Sequence, residues 1–340
     1  MSNPDHLNNP LAQLAAAAVE PLYTGVIGLR NFGYNCGFLP TRRAPMPIIS
    51  VGNLTAGGTG KTPIVIDVVR RLQSLGATPG VILRGYHADS EGRSDEALVY
   101  ETALPFVPVV IGGNRLAAAH AMHRDHPQVN VVVLDDAFQH RRIARELDLV
   151  LIDATNPFGH DAVLPRGLMR EAPAGLRRAD AVIVTRSDQV DKNTLAAIDR
   201  RIEATAGRPP IAHAVHAWVG FVDEQDQAID PGHRRVTIMC GLGNPQAFIQ
   251  QARDRFVIEQ QRVFADHHDY TTADVSDLPE CDAVLTTDKD YVKLRRLLES
   301  QPLSVPVWRP KLEIRWLDGE AAVADRLAAV VECDRQSSRT

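Results

Sequence analysis

The chain has 340 residues, 44% of them apolar and 23% charged, with 37 Lys+Arg against 42 Asp+Glu for a net charge of −5. That length suggests two domains, and the composition excludes global disorder, collagen and coiled coil. The acidic balance argues against a mainly electrostatic nucleic-acid binder. The four cysteines, Cys36, Cys240, Cys281 and Cys333, are dispersed and form no CxxC pair, which argues against a structural zinc site or a disulfide framework.

The N-terminus lacks the basic n-region of a secretory signal. Residues 11–29, LAQLAAAAVEPLYTGVIGL, form an apolar run interrupted by Gln13, Glu20 and Pro21 and followed by Arg30, Arg42 and Arg43. The run is close to the length of a membrane span, but Glu20 and Pro21 disfavour one. A helix docked on a soluble domain and a helix lying in a membrane interface both remain open.

Residues 47–52, PIISVG, read as a buried strand. After a glycine-rich loop, Ile64, Val65, Val68, Val69 and Leu72 recur at helical spacing until Gly76. Strands follow at residues 80–83 and in PVVIGG, NVVVLDD, LDLVLID and ADAVIVT, with NRLAAAHAMHRDH as a helix. Continuous apolar strands alternating with helices predict a doubly wound parallel α/β sheet covered on both faces. The pattern breaks near residues 206–210. Residues 207–235 are therefore expected to be an extended linker containing a possible hairpin, and residues 236–332 a smaller α/β domain with strands at 283–286 and 305–308 and a final helix near 319–332. The remaining divisions are an apolar arm over 1–44, an α/β core over 45–206 and a polar tail over 333–340.

The strongest local signal is Thr55-Ala56-Gly57-Gly58-Thr59-Gly60-Lys61-Thr62 between a strand and a helix. Glycines let backbone N–H groups curl around phosphate oxygens, a lysine reaches the β- and γ-phosphates, and a Thr hydroxyl is offered to Mg²⁺. Thr55 stands where the motif usually has glycine. Asp135 and Asp136 end an apolar strand, the position from which a carboxylate holds Mg²⁺ directly or through water. Together these features predict a nucleoside-triphosphate-hydrolysing or -transferring enzyme. Other charged clusters fall at strand ends, the ligand side of an open α/β sheet: Arg84 with Tyr86, then Asp95 with Glu96, then Arg166 with Arg170 and Glu171. Asp95 or Glu96 is a candidate base for an attacking hydroxyl, and the arginines are candidates to neutralise transfer charge. In Asp266-His267-His268-Asp269 a carboxylate–histidine pair is favoured over a metal site, because adjacent residues rarely converge on one ion. Lys289 ends another strand. Thr185-Arg186-Ser187-Asp188 weakly suggests a guanine-reading strand end, and Gly241-Leu242-Gly243 reads as a turn.

Seven motifs in order, PMPIISVGNLTAGGTGKTP (45–63), RGY (84–86), SDEA (94–97), LDDAFQHRRIARELDLVLID (134–153), LPRGLMREAP (164–173), DHHDY (266–270) and TTDKDYVK (286–293), closely resemble the tetraacyldisaccharide 4′-kinases, the lipid A 4′-kinases. That resemblance implies transfer of the γ-phosphate of ATP, with Mg²⁺, to the 4′-hydroxyl of a lipid-linked diglucosamine by a peripheral enzyme on the cytoplasmic face of the inner membrane. It implies a P-loop domain joined to a smaller α/β domain, with catalysis in the cleft between them. It assigns Asp95 as catalytic base with His267 as its partner, Asp266 beside it, and Lys61 in transfer. Asp135, Asp136 and Gln139 fall at the metal with Thr62. Arg84, Tyr86, Arg115, Arg166, Arg170, Glu171 and Lys289 are the candidate substrate-binding residues. A lipid substrate and a membrane surface are the expected partners, with no nucleic acid and no obligate protein partner. Where the family commonly reads GDEP and DDGFQH, this chain has Ala97 and Ala137. Two competing readings are a P-loop GTPase or metal-chaperone switch and a catalytically silent membrane-associated nucleotide-binding protein.

Overall fold

A computed structural model describes residues 10–85, 94–266 and 268–337. It divides into two compact units, one running to His216 and resuming at Ile314, the other covering Ala217–Glu313.

The first unit begins with helix α1 (Pro10–Asn35). Then follow β1 (Ile48–Asn53), α2 (Lys61–Ser74), β2 (Pro79–Leu83), α3 (Asp95–Ala103), β3 (Val109–Ile111) and α4 (Arg115–Asp125). The unit continues through β4 (Val131–Asp135), β5 (Leu147–Asp153), β6 (Ala181–Thr185) and α5 (Lys192–Ala206) into β7 (Ala212–Val222). The sheet order is β3-β2-β4-β1-β5-β6-β7, every pair parallel. All residues of β1, β2, β4, β5 and β6 are buried. Their unbroken apolar runs are what a sheet covered by helices on both faces requires. Strand β1 lies between β4 and β5, and Val51 stands opposite Asp135. The loop leaving β1 therefore sits beside the carboxylates ending β4, at the carboxyl end of the sheet where such folds bind ligands.

The second unit takes the chain from β7 through β8 (Ala228–Ile229), β9 (Arg235–Cys240), α6 (Pro245–Arg253), β10 (Val257–Val263), α7 (Thr272–Val275), β11 (Ala283–Leu285) and α8 (Asp288–Ser300) into β12 (Val307–Asp318). Its parallel strands run in the order β10-β9-β11-β12. Trp218, Phe221, Phe248 and Phe256 pack edge-to-face or tilted in its core. β12 then returns to the first unit and leads into α9 (Glu320–Ser337).

Two expected boundaries change. Residues 207–235 are not simply a linker. Ala212 pairs with Ile183 of β6, so the start of β7 is a strand of the P-loop sheet, and its end pairs antiparallel with β8 as a hairpin, Phe221 opposite Ile229. The final helix also does not belong to the smaller unit. Val323, Leu327, Val330 and Val331 of α9 are buried with Ile64, Val65, Val68 and Leu72 of α2 in the P-loop core. Arg71 of α2 fixes the start of α9 through Glu320 at 2.7 Å and lies over the Trp316 ring. His213 of β7 is bound by both Asp199 and Asp318, at 3.0 and 2.9 Å, which ties the returning strand to α5. Sequence order hid this, because a helix following the second unit's strands carries no mark of which core it covers.

Leu327 is fully buried in that core. Leu327→Ala is expected to lower the urea-unfolding free energy by about 2–5 kcal/mol, and to lower ATP affinity in parallel near the transition because α9 backs the helix that carries Lys61.

Candidate active site

The loop after β1 opens extended. Thr55 pairs with Met169, its carbonyl accepts from Asn53 Nδ2 at 2.6 Å, and Ala56 N–H donates to the Leu168 carbonyl at 2.7 Å. An extended, paired residue needs no glycine, which accounts for Thr55 at the first position. Glycine is required further on. Gly57 has φ 107°, and Gly60 has φ 72° with a Cβ position 2.4 Å from the His216 ring. Three successive carbonyls of the loop are tethered from outside. Arg186 Nη2 donates to Gly58 O at 3.0 Å, Thr185 Oγ1 to Thr59 O at 3.4 Å, and His216 Nε2 to Gly60 O at 3.1 Å. In a trans peptide the C=O and N–H point in opposite directions. Holding the carbonyls of Thr59 and Gly60 outward therefore aims the N–H groups of Gly60 and Lys61 at the other side of the loop, as a phosphate cradle needs. Arg186 is in turn paired with Asp153 at the end of β5.

Asp135 and Asp136 are adjacent but differ in environment. Asp135 is 6% exposed. Its Oδ2 accepts from Tyr100 Oη at 2.9 Å, and its backbone carbonyl accepts from Arg115 at 3.0 Å. Its other oxygen, Oδ1, is buried with no hydrogen-bond partner. Burial raises its pKa, the Lys61 charge opposing. Thr62 lies beside the Tyr100 hydroxyl, so one phenol stands next to both expected metal ligands. A buried carboxylate oxygen left over beside a Thr hydroxyl is the donor set a hard divalent cation takes. Asp136 has φ 53°, a left-handed conformation that Asp tolerates better than most residues. Burial alone would raise its pKa, but Lys61 at 3.5 Å and Arg170 at 2.7 Å outweigh that and hold it well below the usual carboxylate range. Lys61 also lies 3.3 Å from Asn53 Oδ1.

Several expected residues are engaged differently from their assigned roles. Gln139 does not turn to the metal position: its Nε2 donates to Asn53 O at 2.9 Å and to Glu171 Oε1 at 3.1 Å, and its Oε1 lies 3.5 Å from Arg170. Arg115 is 2% exposed and donates to Gly112 O as well as Asp135, so it shapes the end of β4 instead of facing substrate. Arg166 pairs with Glu20 of α1. Arg186 is spent on the phosphate loop, which removes the basis for a guanine-reading strand end. Arg170 does adjoin Asp136, the partner of Lys61, whereas Glu171 is bound by Gln139, Arg178 and Asn31. Arg84 directly follows β2, at the same end of the sheet. Tyr86 and His267 lie outside the described residues. So does the side chain of Asp95, the first residue of α3.

In the smaller unit, Lys289 pairs with Asp266 at 2.5 Å. His268 stacks on Phe264 and contacts Asp274 at 3.0 Å. Asp290 accepts from Gly241 N–H, Tyr270 and Thr287, which fixes the Gly241 turn. Among the described residues no group of three or more His, Cys, Asp or Glu is arranged to hold a metal. Sequence reasoning missed Tyr100, Asn53 and His216. Tyr100 and His216 read as ordinary residues of an α-helix and an alternating strand, and no local signal marks them.

A parallel sheet whose central strand runs into a glycine-rich loop, a lysine at the following helix N-terminus and a buried carboxylate on the neighbouring strand defines a P-loop protein of the nucleoside-triphosphate-hydrolysing or -transferring class. A family model described as tetraacyldisaccharide-1-P 4′-kinase matches residues 12–332. Relatives named tetraacyldisaccharide 4′-kinase include those of Bdellovibrio bacteriovorus, 31% identical over 86% of this chain and 92% of that one, and Chlorobium limicola, 31% identical over 96% and 99%. The crystal structure of LpxK from Aquifex aeolicus in complex with ATP matches with a TM-score of 0.74 at 25% identity, covering 94% of this chain and 99% of that one. The chain belongs to the tetraacyldisaccharide-1-P 4′-kinase family and is a kinase of lipid A biosynthesis.

Burial pushes the His216 imidazole down to about 4, with the Arg186 charge adding to it. The folded ring is therefore neutral, while the unfolded ring protonates near 6.5. Its contribution to stability is complete above 6.5 and is lost as pH falls from there through about 4. His216→Gln keeps a donor for Gly60 without the titration, so thermal melts over this interval should show a shallower pH dependence than the parent chain.

Proposed function

We propose that the first unit binds ATP on residues 55–62 and transfers its γ-phosphate to the 4′-hydroxyl of a tetraacylated glucosamine disaccharide 1-phosphate, working as a peripheral enzyme at the cytoplasmic face of the inner membrane. The observation that carries this reading is the phosphate loop. Its amides are pre-aimed by the Arg186, Thr185 and His216 tethers, with Lys61 at the helix N-terminus beside Asp136. ATP in the Aquifex aeolicus structure supports the choice of nucleotide.

Asp135 Oδ1 and the Thr62 hydroxyl would hold Mg²⁺, which when bound supplies neutralisation of phosphate charge. Lys61 binds the terminal phosphates and stabilises charge that develops on them. Arg170, fixed on Asp136, adds a second cation nearby. The sequence resemblance assigns Asp95 as the base that takes the proton of the 4′-hydroxyl, with His267 as its partner. Asp95 opens α3, whose Tyr100 is bonded to Asp135, so base and metal ligand are carried on one framework. Most of the rate enhancement then comes from positioning and preorganised charge. Helix α1, long and apolar enough over Ala12–Asn35 to cross a membrane by length and composition, supports attachment to the surface that carries the lipid substrate. Family membership sets aside the GTPase and silent-binder readings.

Purified chain incubated with ATP or GTP and tetraacyldisaccharide 1-phosphate in detergent should yield phosphorylated lipid with ATP. No product with ATP would overturn the reading. Lys61→Ala and Asp135→Asn should each abolish measurable turnover. Asp95→Ala should lower kcat by about 10²–10⁴-fold with ATP affinity retained, as measured by equilibrium titration.

A further inference from the structure

Helix α1 has two opposed faces. Leu14, Val19, Leu22, Val26, Leu29 and Phe32 are exposed, Leu22 and Leu29 by more than 70%. The inward face carries polar groups beside Ala16 and Ile27. Tyr23 Oη donates to the Arg170 carbonyl at 3.1 Å, Arg30 Nη2 to the Gln139 carbonyl at 2.7 Å, and Asn31 Nδ2 to Glu171 Oε2 at 2.8 Å. A helix bound only as an anchor would have no need of these contacts, because each polar group could remain hydrated.

These three contacts end on residues linked to Lys61 through one or two intermediates. Glu171 is 2% exposed and also accepts from Gln139 and from Arg178 at 2.8 Å. Gln139 donates to the carbonyl of Asn53, whose side chain lies 3.3 Å from Lys61 Nζ. Arg170 holds Asp136, the other partner of Lys61. Two routes therefore lead from α1 to the same ammonium, one through Glu171, Gln139 and Asn53, the other through Arg170 and Asp136.

We propose that Asn31 and Arg30 of α1 are positioning residues for phosphoryl transfer, holding Glu171 and Gln139 so that Asn53, Asp136 and Arg170 fix Lys61. The inference rests on the reading of Lys61 as the transfer lysine. Its consequence is a link between lipid surface and chemistry. The exposed apolar face and the docked face of α1 point in opposite directions, so a surface that seats the first leaves the second in place, and the helix that meets the lipid also orders the site. Buried Glu171 keeps Arg178 as counter-ion when Asn31 is removed, so the fold does not depend on Asn31.

The test compares inward and outward substitutions. Asn31→Leu combined with Arg30→Met is expected to lower kcat about 10–100-fold, the scale of a small misplacement of a catalytic group. Cooperative melting and partitioning onto anionic phospholipid vesicles should be retained, and the KM for ATP should change less than kcat falls. Arg30→Lys should keep more of the activity than Arg30→Met. Leu22→Ser combined with Leu29→Ser should lower vesicle partitioning while kcat in detergent micelles is retained. Unchanged kcat in the inward variant would overturn the proposal. So would an equal loss of kcat in detergent for the outward variant, since α1 would then act only as an anchor. If the inward variant melts without cooperativity, Arg30→Lys against Arg30→Met decides, and equal activity of those two overturns it. Failure of the unsubstituted chain to phosphorylate lipid would instead overturn the kinase reading and is read separately.

Discussion

The outward tethering of three carbonyls, those of Gly58, Thr59 and Gly60, is the constraint on which the rest of the site depends. A glycine-rich loop is free to turn its peptide planes either way, and that freedom costs entropy when a ligand must fix it. Donors from the ends of β6 and from β7 remove the choice before any phosphate arrives. The parallel sheet exists in this respect to bring β6 and β7 to the outer side of the loop and β4 to its other side. The burial of every residue in the central strands makes that arrangement rigid.

The same economy governs the carboxylates. Asp135 and Asp136 are neighbours in sequence, yet the turn at Asp136, with φ 53°, sends their side chains to different tasks. Asp136 is neutralised by Lys61 and Arg170 and orients them. Asp135 has one oxygen satisfied by Tyr100 and one without a partner, a state that is costly in a closed interior and useful beside a cation. Their opposite pKa displacements, Asp135 up and Asp136 down, follow from that difference in partners.

Helix α1 shows how a slightly acidic average charge can conceal a local surface. Its exposed apolar residues and its buried-side polar residues share 26 positions. The composition of the run alone leaves a docked helix and an interfacial helix as competing descriptions. In the structure one face docks, through Tyr23, Arg30 and Asn31 beside Ala16 and Ile27, and the other keeps its apolar side chains exposed.

Much was legible from order along the chain. The phosphate loop, Lys61, Thr62, the Asp135–Asp136 strand end and the parallel α/β class all depend on local patterns: glycine spacing, apolar runs of strand length and helical periodicity. The family followed from several such motifs in series. Tertiary structure alone decided that Arg115 is buried behind Asp135, that Gln139 bridges Asn53 and Glu171, that Arg186 and His216 tether the loop, and that α9 closes the core of the first unit. Each of these depends on a partner far away in the chain, 128 positions for Arg186 and 156 for His216. A side chain's residue type says what bonds it can make. Only the packing of strands and helices, which sets distance and burial together, says which bond it does make.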